Sequence, residues 1–385
     1  MDCSSFDIGP YGFLPSQPLQ KFENPYYHPW DVLASDFHHL LSGKSFRTVV
    51  EQLPCLDTTQ LKDVREWQRA YVLLGFFAHG YVWVETPAAE RIPPSLSKPF
   101  LSICVKLQIA PVATYACLCL WNFRLINQSK SHKDPANLDS LISFTGTRAE
   151  SWFYVMSVAI EAQGGCLVTE LATTLLDPSP HAVNSVLQDL ASTLDSMTVT
   201  MARMSEHLDP DYFWNVIRMW ISGFQNASSK GLPNGIIYED GTGQDRYQQL
   251  AGGSNGQTTL LPFFDLVLGI QHSTENKDFI RDMHEYMPGI HIDFLKTMSQ
   301  HRSFRDFVTE RPHDVGLHQA YNQAVESLKV LRSKHVNLIT RYIVIPSRKE
   351  SSRHGTEVQG TAGTSPMPFL KSMREESEQA KLEAL

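Results

Sequence analysis

Between Asp314 and Pro346 the apolar residues recur at alternating steps of four and three. Leu317, Tyr321, Ala324, Leu328, Leu331, His335, Leu338 and Tyr342 therefore share one face, which predicts one long amphipathic helix packed on a core. Pro346 is its expected stop, because a proline pushes the preceding residue out of the helical region. Leu61, Val64, Trp67, Tyr71, Leu74, Ala78 and Tyr81 keep the same spacing and predict a helix over 61–84. Further helices are expected over 31–53, 112–123, 150–162 and 259–271. Two segments are expected within 175–204, an amphipathic stretch over 277–298, and a closing surface helix from Pro368. Residues 112–123 and 150–162 are apolar on nearly every side and so expected to be buried. Asp209-Pro210 reads as an N-cap with a first-turn proline, opening a helix to Ser222-Gly223.

The remaining stretches lack periodicity. Residues 1–30 read as an extended arm lying on the fold, 127–140 as a surface connection and 225–257 as a long Gly-rich loop. Residues 347–366 are polar, Gly- and Ser-rich, and read as a mobile loop. No strand pattern and no internal repeat stand out, so the expected fold class is all-α.

Composition narrows the function classes. Of 385 residues, 42% are hydrophobic and 19% charged, which is a globular and not a disordered profile. A net charge of -8 argues against a nucleic-acid partner held through phosphates. Six cysteines are scattered in apolar context without zinc spacing, and read as reduced core thiols. The N-terminus lacks the pattern of a signal peptide, and no apolar stretch reads as a membrane span, so the expected location is cytoplasmic. Nucleophile-elbow, HExxH, Walker and dinucleotide motifs are missing, and no carboxylate pair stands out as acid and base.

What chemistry there is lies on the helices. His335 occupies a stripe position where a leucine is expected, with Arg332 one turn earlier. Two readings stay open: a neutral core histidine bonded to nearby carbonyls, or a ligand to a metal or haem, with Arg332 pairing a haem carboxylate. Arg218 stands among Phe213, Trp214, Ile217 and Trp220, either snorkelling beside a structural partner or kept inside for an anionic ligand. Asp265 is buried by pattern, Phe153 and Ser157 share a helix face, and the glycines at 252–256 let backbone approach a ligand closely. A flat apolar cofactor on one histidine, with an aromatic substrate above it, would use all of these.

Eight stretches, among them AYVLLGFFAHGYVW (70–83), ESWFYVMSVAIE (150–161), FWNVIRMWISGF (213–224), AGGSNGQTTLLPFFDLVLGI (251–270) and LRSKHVNLITRYIVIP (331–346), run in one order across nearly the whole chain. Together they resemble the indoleamine 2,3-dioxygenases of the fungal kind. The resemblance implies an all-α, two-domain fold, with a small N-terminal domain over 1–144 and a large haem-binding domain over 145–385. It implies haem b, ferrous when active, with His335 as the iron ligand. Arg332, Asp265, Gly253 and Ser254 would lie against the haem. Arg218, Phe213, Tyr115, Phe153, Ser157 and Thr361 would bind the substrate. The implied reaction inserts dioxygen across the indole C2–C3 bond of L-tryptophan, giving N-formylkynurenine, with no side chain acting as acid or base. An electron donor, a monomeric state and no membrane or nucleic-acid partner are implied as well. Asn255 after GGS, Ala362 in GTAGT, and Leu118 and Cys119 depart from the family pattern or sit at variable positions. They leave the same chemistry on a modified indole open. A non-catalytic haem protein that binds dioxygen on this fold is the other alternative.

Overall fold

The computed structural model describes residues 3–244, 246–354 and 366–383, and helices dominate it. The central helix, Val315–Ile339, starts where the Asp314 carboxylate accepts the Leu317 N–H at 3.0 Å. Its predicted stripe is buried from Leu317 to Leu331. It packs mainly on Pro180–Ala202 and on the closing helix, Pro366–Gln379. Pro346 does not stop it. A π-turn, Thr340–Val344, leads directly into Ile345–His354, where the proline is the second residue and needs no N–H partner. Residues 347–354 are therefore helical, unlike the mobile loop expected there, and Thr361 lies outside the described residues.

Val64–Trp83 runs through the core, with Asp63 capping the Glu66 N–H at 3.0 Å. The single helix expected over 31–53 is three: His28–Ser35, Phe37–Ser42 and Phe46–Glu51. Lys44, in the left-handed region at φ 53°, turns the chain before the third. Over 112–123 only the π-turn Ala116–Leu120 is helical. Its all-round apolar character reflects neighbours on every side, which carries no helical period. Arg148–Gly165 is capped by Thr147 and followed by Val168–Leu176. Together Arg148–Leu176 is long and apolar enough to pass as a membrane span, contrary to the sequence reading, but 72% of the apolar window is buried inside the protein.

Asp209 caps Pro210–Tyr212, which continues through the π-turn Phe213–Ile217 into Arg218–Ile221. Leu260–Leu268 follows the glycine loop, and Pro288 divides 277–298 between Thr274–His284 and Gly289–Met298. The N-terminal arm holds two short turns and buries Phe13, Leu14, Phe22, Tyr27 and Trp30. Strands do occur. Arg91–Ile92 pairs in parallel with Ile236–Tyr238, which pairs antiparallel with Tyr247–Gln248, and Arg124–Leu125 pairs with Leu138–Asp139. At two or three residues each they are too short to show an alternating pattern. No cysteine is in a disulfide; Cys3, Cys104, Cys117 and Cys119 are buried, whereas Cys55 is exposed and Cys166 is half-buried.

Candidate functional site

The central helix, the closing helix, the glycine loop and the π-turns enclose a cavity of about 570 Å³. That is within the range of roughly 300–1,000 Å³ usual for small-molecule and cofactor pockets. Tyr115, Phe153, Phe213, Gly253, Ser254, Asp265, Arg332 and His335 all line it. Each of the three π-turns gives the cavity side chains: Leu118 and Cys119, Phe213, and Tyr342 with Ile343. A π-turn displaces the following side chains around the helix, and such turns recur at functional sites.

His335 faces this cavity from the central helix. Burial lowers its imidazole to about 4, so it is neutral at pH 7. Among the described residues neither ring nitrogen makes a hydrogen bond, so a lone pair is left facing an apolar space. Beside it, Arg332 Nη2 donates to both Asp265 oxygens at 2.7 and 2.6 Å. Arg332 Nη1 donates to the Met373 carbonyl at 3.1 Å and to the Ser377 hydroxyl. Only Nε–H remains for a group in the cavity. Burial pushes the Asp265 carboxyl up, but Arg332 and His272 outweigh it and hold the carboxyl below its ordinary value.

The opposite wall is aromatic and apolar. Phe153 and Phe213 meet with ring centroids 5.0 Å apart, and Phe213 meets Tyr342 edge-on at 5.9 Å. Ser157 does not line the cavity; it is buried behind it, beside Tyr115 and Cys119. The glycine loop closes one side. A Cβ on Gly252 would sit 2.3 Å from the Ile221 carbonyl oxygen, and one on Gly253 would sit 2.4 Å from Leu118. Only glycine allows so close a pass. Gln257 fastens this loop: its Oε1 accepts the Tyr115 N–H at 2.9 Å and its Nε2 donates to the Gly252 carbonyl at 2.9 Å. Asn255 is exposed at the rim.

Arg218 is half-buried and lies outside the cavity lining, one turn beyond Phe213, with its guanidinium 4.3 Å from the centre of the Trp214 ring. Lys230 lies over the Trp83 ring, 5.5 Å from its centre, and partial desolvation and the Arg218 charge lower its ammonium to about 8. Two cations thus adjoin on this side.

Sequence reading missed several residues here. Glu161 is buried behind Tyr115, whose hydroxyl donates to its carboxyl at 3.0 Å, and Thr258 donates to the same oxygen. Burial raises the Glu161 carboxyl to about 7. The available signal was its spacing, four residues after Ser157 and eight after Phe153, as the one charge beyond the first turn of an apolar helix. His272 and Glu376 flank the Asp265–Arg332 pair and carry no local signal at all.

Fold and site together define a predominantly helical protein with an internal apolar cavity and, among the described residues, an unbonded imidazole on its wall. The family model described as indoleamine 2,3-dioxygenase matches residues 2–380, and the chain belongs to that family. It is 34% identical to the indoleamine 2,3-dioxygenase of Penicillium citrinum, over 97% of this chain and 87% of that one. It is 36% identical to the 6-hydroxytryptophan 2,3-dioxygenase of Fusarium equiseti, over 94% and 93%. Identity to the indoleamine 2,3-dioxygenase of Saccharomyces cerevisiae is 31%, over 95% and 90%. The protein is accordingly an oxidoreductase, a dioxygenase of tryptophan-like indoles.

Proposed function

We propose that the protein opens the indole ring of L-tryptophan with dioxygen, giving N-formylkynurenine, and that haem b occupies the cavity on His335. The observation that carries this is the neutral His335 imidazole, its nitrogens unspent among the described residues, facing an apolar cavity. A neutral imidazole on a rigid helix is the form that ligates iron. The Arg332 Nε–H and the Gly253–Ser254 backbone fit the polar edge and the face of such a group. Ferrous haem, when bound, supplies the dioxygen chemistry, and an electron donor keeps it ferrous.

The rest falls to the chain's own side chains. Phe213 and Phe153, packed on each other, form the apolar wall against which the indole lies and exclude water from it. Arg218, with Lys230 adjoining, binds the substrate carboxylate and so fixes which way the ring enters. Tyr115, backed by Ser157 and Glu161, closes the deep end. The Asp265 carboxylate holds Arg332 in place. None of these residues needs to move a proton. The Thr361 segment, expected to close over the amino-acid end, lies outside the described residues. The division at 144 and 145, the monomeric state and a cytoplasmic location belong to the same proposal.

The test is ferrous protein with L-tryptophan in air, read by the mass of the product. N-formylkynurenine is expected. A haem-loaded protein that yields none from L-tryptophan overturns the substrate. A second reading, a ring-hydroxylated tryptophan, is favoured by the polar Tyr115–Ser157–Glu161 cluster at the deep end and by the Fusarium relative's name. Faster turnover of 6-hydroxytryptophan in the same assay selects it.

A further inference from the structure

Behind the Arg332 side of the cavity, four ionisable side chains from four segments form one buried chain. His272, in the turn after Leu260–Leu268, approaches Asp265 through Nε2 at 3.3 Å and donates from Nδ1 to Glu376 at 2.7 Å. Glu376, on the closing helix, also accepts the Ser273 N–H at 2.8 Å and the Asn276 amide at 2.7 Å. Arg332, on the central helix, adds its two bonds to Asp265 and reaches Met373 and Ser377 on the closing helix. The closing helix carries Phe369, Leu370 and Met373 into the cavity lining. Phe369 also meets Phe279, ring centroids 4.2 Å apart.

We propose that His272 is a positioning residue that latches the closing helix to the cavity wall by bridging Asp265 and Glu376, and thereby holds the bound cofactor in.

Charge balance requires this. The groups facing His272 are the Asp265 and Glu376 carboxylates and the Arg332 guanidinium. An imidazolium makes two cations against two anions. A neutral ring leaves one negative charge buried without compensation, which is costly. Burial lowers the His272 imidazole, but the Asp265 and Glu376 contacts outweigh it and raise it above its ordinary value. For a group whose folded value is raised, the stabilisation is complete below the unfolded value and is lost as pH rises through the folded one. The latch is therefore closed in neutral and mildly acidic solution and loosens towards alkaline pH.

The cofactor clause rests on the haem proposal; the latch does not. The experiment uses the full chain in two forms. In haem-loaded protein, the rate of haem transfer to excess apomyoglobin is followed from about pH 6 to about pH 9, the span in which a raised imidazole titrates. Without haem, amide hydrogen exchange over Pro366–Gln379 is followed across the same span. Wild type is expected to lose haem faster, and the closing helix to lose protection, as pH rises. His272→Gln keeps a donor but no charge, and is expected to lose haem about tenfold faster at the acid end with a flat pH profile, the scale on which supporting residues act at metal sites. Glu376→Gln, a smaller change in shape, is expected to match it. A variant that follows the wild-type profile, or a wild type flat in both readouts, overturns the latch. Protein that takes up no haem overturns the haem proposal, while the exchange profile still decides the latch.

Discussion

His79 and His335 sit on long helices, and burial lowers both imidazoles to about 4. Their surroundings differ in one respect. His79 is fully spent: Nδ1 bonds the Trp220 carbonyl at 2.8 Å and Nε2 accepts the Ala113 N–H at 3.1 Å. It ties Val64–Trp83 to the Arg218 helix and to the turn before Tyr115, and its role is structural. Among the described residues His335 has no bond at either nitrogen, and it faces a cavity. Burial therefore does not make a histidine a ligand; an unused lone pair with space before it does. His291 shows that both conditions count, since its nitrogens are also unbonded but it packs against Phe13 outside the cavity lining.

Exchanging the two histidines' fates is the strongest test of that contrast. His335→Ala is expected to abolish haem uptake and product formation while leaving the melting temperature of the haem-free protein nearly unchanged, checked by absorption and calorimetry. His79→Ala is expected to do the reverse. It strands a buried carbonyl and a buried N–H, which costs about 3 kcal/mol of stability, while the folded fraction still binds haem. If His79→Ala loses haem and His335→Ala does not, the contrast is wrong.

Arg218→Ala is expected to retain haem and raise the KM for L-tryptophan about ten- to hundredfold, the worth of one charged hydrogen bond. An unchanged KM would place the carboxylate elsewhere. The smallest effect concerns Glu161, where burial acts in the opposite direction from the histidines. Its carboxyl is raised from 4.5 to about 7, so the folded state binds the extra proton between those values and stability falls as pH rises through them. Glu161→Gln is expected to flatten this slope and to gain stability relative to wild type above about pH 7. Urea melts at several pH values would show it, and an unchanged slope would mean Glu161 stays charged.

The central helix was legible because its apolar period persists over seven turns of chain and Asp314 marks its start. Its continuation past Pro346 was not, because a π-turn leaves no residue signature. The Ala116–Leu120 turn failed for a related reason: neighbours surround it, so apolarity there reports burial and not helix. Of the site, His335 showed as a histidine out of place, and Phe213, Phe153 and Tyr115 as aromatics on buried segments. Whether His335 was spent or free could not be read from its own helix, since the answer lies in what the rest of the chain puts opposite it. The His272–Glu376 bond joins residues far apart in sequence and was invisible for the same reason.

Imidazole rescue tests the role of His335 most directly. His335→Gly should take up no haem alone, and should recover the haem spectrum and N-formylkynurenine formation when free imidazole is added. A glycine variant that binds haem and turns over without imidazole would show that the iron is held by another residue.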